Sequence, residues 1–145
     1  MKKIMIVDDN YLSAEGIEKN IDWEALNAEI VHICYNGTSA IEAMKKESVD
    51  LIISDIEMPD LDGISMSRQA LNINPMVKII LISAYDKFEY ARRALLLGAL
   101  DYIEKPLDYA YLIQKVKNAF ALMEREQKNL QLLKQSRPLL IENFP

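Results

Sequence analysis

The chain has very few of the residues that build disulfides and soft-metal centres. Its 145 residues include one cysteine, Cys34, and one histidine, His32. A single cysteine excludes an internal disulfide and a multi-cysteine metal centre, and a single histidine excludes a histidine-rich zinc site. We therefore expect Cys34 to be a small buried hydrophobic residue and His32 to be structural.

Long apolar runs and an excess of positive charge are also missing. No apolar stretch approaches the ~18 residues of a membrane span, and the apolar run 4–7 is shorter than the ~7 residues that a secretory signal needs. The net charge of −5 disfavours binding of this chain alone to a nucleic-acid backbone. No G-x-G-x-x-G or P-loop lysine motif supports nucleotide binding. We expect a cytoplasmic protein that does not enter a membrane.

The chain does contain five short apolar segments, each followed by a helical pattern. The predicted strands cover residues 3–7, 29–35, 77–82 and 100–103, and a further strand, third in order, contains Leu51, Ile52 and Ile53 and ends at Asp55. Leu51, Ile52 and Ile53 are adjacent rather than alternating, which is typical of a strand buried on both faces. Five alternations of strand and helix predict an α/β domain with one parallel sheet covered on both faces.

Turn residues predict where several helices begin and end. We expect Thr38 and Asp86 to cap the N-termini of the second and fourth helices, and Gly98 to end the fourth. Asp22 begins a short turn, and Trp23 is expected to pack over a helix end.

Polar side chains follow four of the predicted strands. They are Asp8 and Asp9 after the first, Asp55 at the end of the third, Ser83 after the fourth and Lys105 after the fifth. Because the carboxyl ends of parallel strands share one edge of the sheet, we expect these groups to converge. Three carboxylates favour a hard divalent cation such as Mg²⁺. With a lysine and a hydroxyl, they suit phosphoryl transfer to a carboxylate nucleophile.

These motifs resemble those of the receiver domains of two-component response regulators, over residues 1 to about 120. The resemblance is carried by four stretches: Val7-Asp8-Asp9, Ser54-Asp55-Ile56-Glu57-Met58-Pro59 with Asp62-Gly63, Ser83-Ala84, and Tyr102-Ile103-Glu104-Lys105-Pro106. It implies a flavodoxin-like (βα)5 doubly wound parallel sheet in the order 2-1-3-4-5.

The resemblance also assigns the phosphoacceptor and its metal. Asp55 would take a phosphoryl group from a phosphohistidine of a sensor histidine kinase. Asp9 and Asp55 would bind Mg²⁺ through their side chains, and Glu57 through its backbone carbonyl. Asp8 would complete the pocket through metal-bound water.

Three further roles follow from the resemblance. Lys105 would contact a phosphoryl oxygen, and the bond from Lys105 to Pro106 would be cis. Ser83 and Tyr102 would form a switch pair, in which the hydroxyl moves to the phosphoryl group and the ring turns inward. The domain would then act as a switch without substrate turnover.

An acidic residue at position 57 leaves two interpretations open. The Glu57 side chain repels the incoming phosphoryl group or orients the hydrolytic water, or else it is a solvated acid that points away.

Two other functions compete with the switch. A haloacid-dehalogenase-like phosphohydrolase would use Asp55 as nucleophile, but it needs a second aspartate where this chain has Glu57. A receiver-like interaction module that is never phosphorylated would have no need for both Asp9 and Lys105.

A finer resemblance concerns the output. The stretches 21–23 and 83–91 look like those of receivers joined to AraC-type DNA-binding domains, so control of transcription through DNA would depend on an effector domain absent from this chain.

The C-terminal segment continues the helical pattern beyond the usual receiver length. We expect a receiver domain at 1–122 and a helical linker at 123–145 towards the effector. A heptad stripe comprises Leu112, Val116, Ala119, Met123, Glu126, Leu130 and Leu133. One interpretation is that this helix transmits the signal and forms a homodimer. The face made by the fourth helix, fifth strand and fifth helix could also form the homodimer. The alternative is a linker that frays beyond Met123.

Overall fold

Strands and helices alternate along the chain as the apolar segments predict. The computed structural model describes residues 1–84 and 88–142, with side chains described for residues 1–84, 89 and 92–135. Within those ranges the elements are β1 (Lys2–Val7), α1 (Tyr11–Asn20), β2 (Ala28–Cys34), α2 (Gly37–Lys46), β3 (Leu51–Asp55), α3 (Gly63–Ile73), β4 (Lys78–Ser83), α4 (Phe88–Leu97), β5 (Asp101–Glu104) and α5 (Tyr109–Glu142).

The strands form one parallel sheet in the order β2-β1-β3-β4-β5, which confirms the predicted flavodoxin-like fold. Successive residues of each central strand enter two different apolar clusters. Ile52 joins the cluster with buried residues of α2, α3 and α4, whereas Ile53 joins the one that includes α1 and α5. Both faces of the strand are therefore covered, which is why its apolar residues are consecutive.

The N-cap of α2 differs from the prediction. Asn36, rather than Thr38, caps the helix, because the Asn36 side chain accepts a hydrogen bond from the backbone N–H of Ser39 at 2.7 Å. Thr38 lies in the first turn, where its backbone N–H donates to the carboxylate of Asp60 at 3.2 Å. The expected cap at Asp86 lies outside the described residues.

Other local predictions are confirmed. Gly98 follows α4 with a φ of +106°, a conformation that favours glycine at a helix end. Trp23 is buried, and its indole N–H donates to the carbonyl of Ile17 at 3.3 Å. Cys34 is also buried.

The extended C-terminal helix is present as a single element. Its stripe is buried against the sheet at Leu112, Val116, Ala119 and Met123, and becomes exposed at Leu130. The helix continues to Glu142, beyond the expected end of the receiver domain at residue 122. None of the helices, over their described residues, combines the length and apolar character that a membrane span requires.

An ion pair joins the C-terminal helix to the sheet. The Lys78 ammonium, at the start of β4, lies 2.8 Å from the Glu126 carboxylate. The lysine side chain is only 14% exposed, so the pair is better shielded from water than an ordinary surface ion pair. The charged interruption of the heptad stripe thus anchors α5 beyond its last buried position.

Candidate functional site

Three carboxylates meet at the carboxyl edge of the sheet. Asp8 and Asp9 follow β1 directly, and Asp55 ends β3. Because β1 and β3 are neighbours, with Val7 paired to Ser54, the three side chains converge and each offers an oxygen within 4.8 Å of the others. Asp8 and Asp55 are buried, whereas Asp9 is exposed and leaves the cluster open to solvent.

Lys105 lies between two of these carboxylates. Its ammonium nitrogen is 3.5 Å from Oδ2 of Asp8 and 3.5 Å from Oδ2 of Asp55. The backbone N–H of Lys105 donates to the carbonyl of Ser83 at 2.8 Å, and the bond to Pro106 is cis, as the resemblance implies. The fold thus brings Lys105 next to two carboxylates that precede it by 50 and 97 residues in the sequence.

Burial raises the pKa of two carboxyls of the cluster, those of Asp55 and Asp8. It is the main cause that raises the pKa of Asp55 to about 6, and the charge of Asp8 raises this pKa further. The Lys105 ammonium acts in the opposite direction. Burial likewise raises the pKa of Asp8. One lysine therefore does not offset three carboxylates, and a divalent cation would favour their ionised forms.

The raised pKa of Asp55 predicts that its carboxylate costs stability in metal-free protein. Ionisation of Asp55 is harder in the folded state than in the unfolded chain. The contribution of its protonated carboxyl to the free energy of unfolding is therefore fully present below about pH 4 and is lost as the pH rises through about 6. We expect Asp55→Asn to raise the free energy of unfolding by about 3 kcal/mol at pH 7.5 with chelator present.

Urea unfolding with chelator at pH 7.5 and pH 4 measures this effect. The gain should shrink towards zero at the lower pH. Asp108→Asn is the matched control, because Asp108 accepts the Ala110 N–H at 3.0 Å at the start of α5, and asparagine can cap the same turn. An equal gain at both pH values would contradict the assignment.

Ser83 and Glu57 are in contact beside the carboxylates. The buried Ser83 hydroxyl, at the end of β4, donates to Oε1 of Glu57 at 3.2 Å. The Glu57 side chain therefore faces β4 instead of pointing away. Its backbone N–H hydrogen bonds to the Asp55 side chain, which lowers the pKa of that carboxyl. Nothing in the sequence pattern identified the contact between Ser83 and Glu57.

The loop after β3 borders an open cleft. The cleft has a volume of about 470 Å³ and is lined by Asp9, Ile56, Glu57, Met58, Pro59, Asp62, Ile64 and Arg93. Arg93, an exposed residue of α4, was not among the predicted site residues. Of the three clustered carboxylates, Asp9 lines this cleft.

Two close contacts hold this loop in place. The backbone N–H of Gly63 donates to the carbonyl of Ile56 at 2.7 Å, and a side chain at Gly63 would overlap the carbonyl oxygen of Asp55. Asp60 binds the N-terminus of α2 through the backbone N–H groups of Gly37 and Thr38. These contacts tie the loop that follows Asp55 to the start of α2 and to the carbonyl of Ile56.

Tyr102 lies on β5, which is separated by β4 from the strand that carries Asp55. It belongs to β5, pairs with Leu81, and is partly buried against the cluster formed with α2, α3 and α4. Its neighbours Ile103, Glu104, Pro106, Asp108 and Tyr111 line a separate cleft of about 320 Å³ with it. The strand register thus puts Tyr102 on β5 beside the strand that carries Ser83.

The donor set fits a magnesium ion. Asp8, Asp9 and Asp55 offer hard carboxylate oxygens within 4.8 Å of one another, and the exposed position of Asp9 leaves room for water or phosphate oxygens. The Glu57 carbonyl, which the resemblance adds to this set, stays a prediction. The arrangement combines a nucleophilic carboxylate, an ammonium group and a site for a hard cation.

Comparisons with known proteins agree with this geometry. Residues 4–117 match the family model described as "Response regulator receiver domain". Among curated proteins, the chain is 29% identical over 126 residues to the uncharacterized transcriptional regulatory protein YesN of Bacillus subtilis. The match covers 87% of this chain but only 34% of YesN, so the chain spans about a third of that relative's length.

Solved structures show the same likeness. The REC domain of AraT, a response regulator from Geobacillus stearothermophilus, is 35% identical with a TM-score of 0.81, and the match covers 87% of this chain and 98% of that one. The two-component transcriptional regulator AraC from Clostridium phytofermentans is 29% identical with a TM-score of 0.78, and the match covers 89% and 99%. The chain belongs to the receiver domain family of response regulators.

Proposed function

We propose that this receiver domain is a phosphorylation switch in which Asp55 accepts a phosphoryl group from a sensor histidine kinase. The observation that carries the proposal is the position of Lys105, 3.5 Å from the carboxylates of both Asp8 and Asp55 at an open edge. Membership of the receiver domain family supports a role as a phosphoacceptor in signal transduction. The histidine kinase, the Mg²⁺ ion and the output domain are added by this proposal.

The proposed reaction forms one bond and breaks one. A carboxylate oxygen of Asp55 attacks the phosphorus of a phosphohistidine, the P–N bond breaks, and the imidazole leaves with the bonding electron pair. Lys105 donates hydrogen bonds to a phosphoryl oxygen as charge builds on the transferred group. Mg²⁺ held by Asp8, Asp9, Asp55 and the Glu57 carbonyl would neutralise charge on the phosphoryl oxygens.

Phosphorylation would then bias an equilibrium between two arrangements. The Ser83 hydroxyl turns to the phosphoryl group, and Tyr102 follows by turning inward beside β4.

The likeness to AraC-named and transcriptional relatives favours an AraC-type output domain that contacts DNA outside this chain. Residues 1–122 form the switch, residues 123–145 lead to that domain, and the reaction occurs in the cytoplasm without continuous substrate turnover.

Homodimerisation is the proposed route from switch to output. The heptad stripe is exposed at Leu130 and Leu133, beyond the part of α5 that packs on the sheet. The face made by α4, β5 and α5 is the second candidate surface. Light scattering with and without beryllofluoride and Mg²⁺ measures the change in size, and Leu130→Glu should prevent dimerisation through the helix.

Intact-mass spectrometry after incubation with acetyl phosphate and Mg²⁺ tests the phosphoacceptor. We expect one added phosphoryl group in the wild type and in the Asp108→Asn control, and none in Asp55→Asn. Chelation of the metal should prevent the addition in every variant. Continued release of phosphate from a phosphate ester, without a stable adduct, would instead indicate a hydrolase.

A further inference from the structure

The hydroxyl of Ser83 is already engaged in the unphosphorylated domain. Ser83 is fully buried at the end of β4, and its Oγ lies 3.2 Å from Oε1 of Glu57, a residue 26 positions earlier. A serine hydroxyl has a single proton to donate, and an ionised carboxylate can only accept. The proton that Ser83 gives to Glu57 therefore cannot be given to another acceptor at the same time.

A phosphoryl group on Asp55 would need that same proton. Its oxygens are acceptors, and the proposed switch requires the Ser83 hydroxyl to turn to one of them. Glu57 follows Asp55 by two residues, and its backbone hydrogen bonds to the Asp55 side chain, so the competing carboxylate is held beside the reacting group. The phosphoryl group and Glu57 thus compete for one donor.

We infer that Glu57 is a positioning residue that holds Ser83 in the inactive orientation and so opposes activation. This inference rests on the proposed function, since it assumes that Asp55 accepts the phosphoryl group. It differs from simple charge repulsion between Glu57 and the phosphoryl group, because repulsion does not involve Ser83. The two mechanisms are separated by asking whether the effect of Glu57 depends on the Ser83 hydroxyl.

A double-mutant cycle makes that comparison. The affinity for beryllofluoride in saturating Mg²⁺ is measured by calorimetry for wild type, Glu57→Ala, Ser83→Ala and the double variant. We expect Glu57→Ala to raise the affinity about tenfold when Ser83 is present, because a hydrogen bond to a charged group has been removed. In the Ser83→Ala background, the same substitution should raise the affinity by no more than about threefold.

Glu57→Gln adds a test of the hydrogen bond itself. Glutamine keeps an acceptor for Ser83 but removes the charge, and a neutral hydrogen bond is roughly half as strong as a charge-assisted one. We expect its beryllofluoride affinity to lie between those of the wild type and Glu57→Ala. An affinity equal to that of Glu57→Ala would show that the acceptor is irrelevant and would overturn the inference.

The remaining outcomes separate this inference from the proposed function. Equal effects of Glu57→Ala in both backgrounds would indicate charge repulsion and overturn the inference alone. No effect, or a weaker affinity, with Ser83 present would do the same. Failure of the folded wild type to bind beryllofluoride with Mg²⁺ and to gain a phosphoryl group would overturn the proposed function and this inference together. Urea unfolding of each variant establishes that it is folded.

Discussion

Lys105→Met is expected to slow phosphorylation of Asp55 by acetyl phosphate about a hundredfold, because a positioned cation is lost where negative charge develops. The ammonium group lies 3.5 Å from the carboxylates of Asp8 and Asp55. Its removal also takes away the charge that lowers the pKa of Asp55, so a smaller fraction of that carboxyl is ionised near neutral pH. Both effects reduce the rate in the same direction.

The rate is measured by intact mass at fixed acetyl phosphate and Mg²⁺ concentrations. Lys115→Met is the matched control. The ammonium group of Lys115, on α5, lies 3.1 Å from the carboxylate of Asp101, on β5, and this partly exposed ion pair does not belong to the carboxylate cluster. This control should keep a rate within about twofold of the wild type, as expected for loss of a peripheral ion pair. A similar rate for Lys105→Met would remove Lys105 from the mechanism.

Gly63→Ala is expected to lower the free energy of unfolding by about 3 kcal/mol, because the new methyl group would overlap backbone rather than a movable side chain. The nearest atoms are the carbonyl oxygen of Asp55 and the Cα of Ile56. The loop must move to relieve this overlap, so we also expect weaker Mg²⁺ binding. Urea unfolding and metal titration measure the two effects.

Gly16→Ala is the control for an added methyl group. The neighbour it would meet is the hydroxyl end of Tyr109, which can move away, and alanine favours the helix over glycine by about 1 kcal/mol. We expect Gly16→Ala to unfold no more easily than the wild type. If Gly63→Ala were equally stable, the close approach of α3 to Asp55 would not fix the position of the phosphoacceptor.

The sheet and the charged cluster were predictable because both follow from strand order. Asp8, Asp55 and Lys105 each stand at the carboxyl end of a strand, and parallel strands bring those ends to one edge. Consecutive apolar residues in β3 indicated burial on both faces, and the two apolar clusters confirm it. The periodicity is contained in the sequence directly, whereas the strand order 2-1-3-4-5 came from the resemblance to receiver domains.

Contacts set by loop geometry were not predictable. Thr38 fits the residue preference for a cap, but Asn36 caps α2, and the backbone N–H of Thr38 instead donates to Asp60 of a distant loop. The direction of the Glu57 side chain towards Ser83 depends on the backbone between β3 and α3, which residue type does not determine. Side-chain choices of this kind are made by tertiary packing.

The ion pair between Lys78 and Glu126 lies between the predictable and the unpredictable contacts. Lys78 was the single charge in an apolar strand, and Glu126 was the single charge in an apolar helical stripe. Each looked like an exception to its own pattern, yet the two form an ion pair of 2.8 Å. A buried or half-buried charge needs a partner, so opposite charges that interrupt the apolar patterns of two elements are a usable signal that those elements pack together.

The most direct test is to identify the residue that carries the phosphoryl group. Borohydride reduces an aspartyl phosphate to homoserine, which peptide mass spectrometry can locate after treatment of the domain with acetyl phosphate and Mg²⁺. We expect homoserine at position 55 in the wild type, in a yield that falls to background in Lys105→Met at short times. Homoserine at position 8 or 9, or an acid-stable phosphate on Ser83 with none at Asp55, would contradict it.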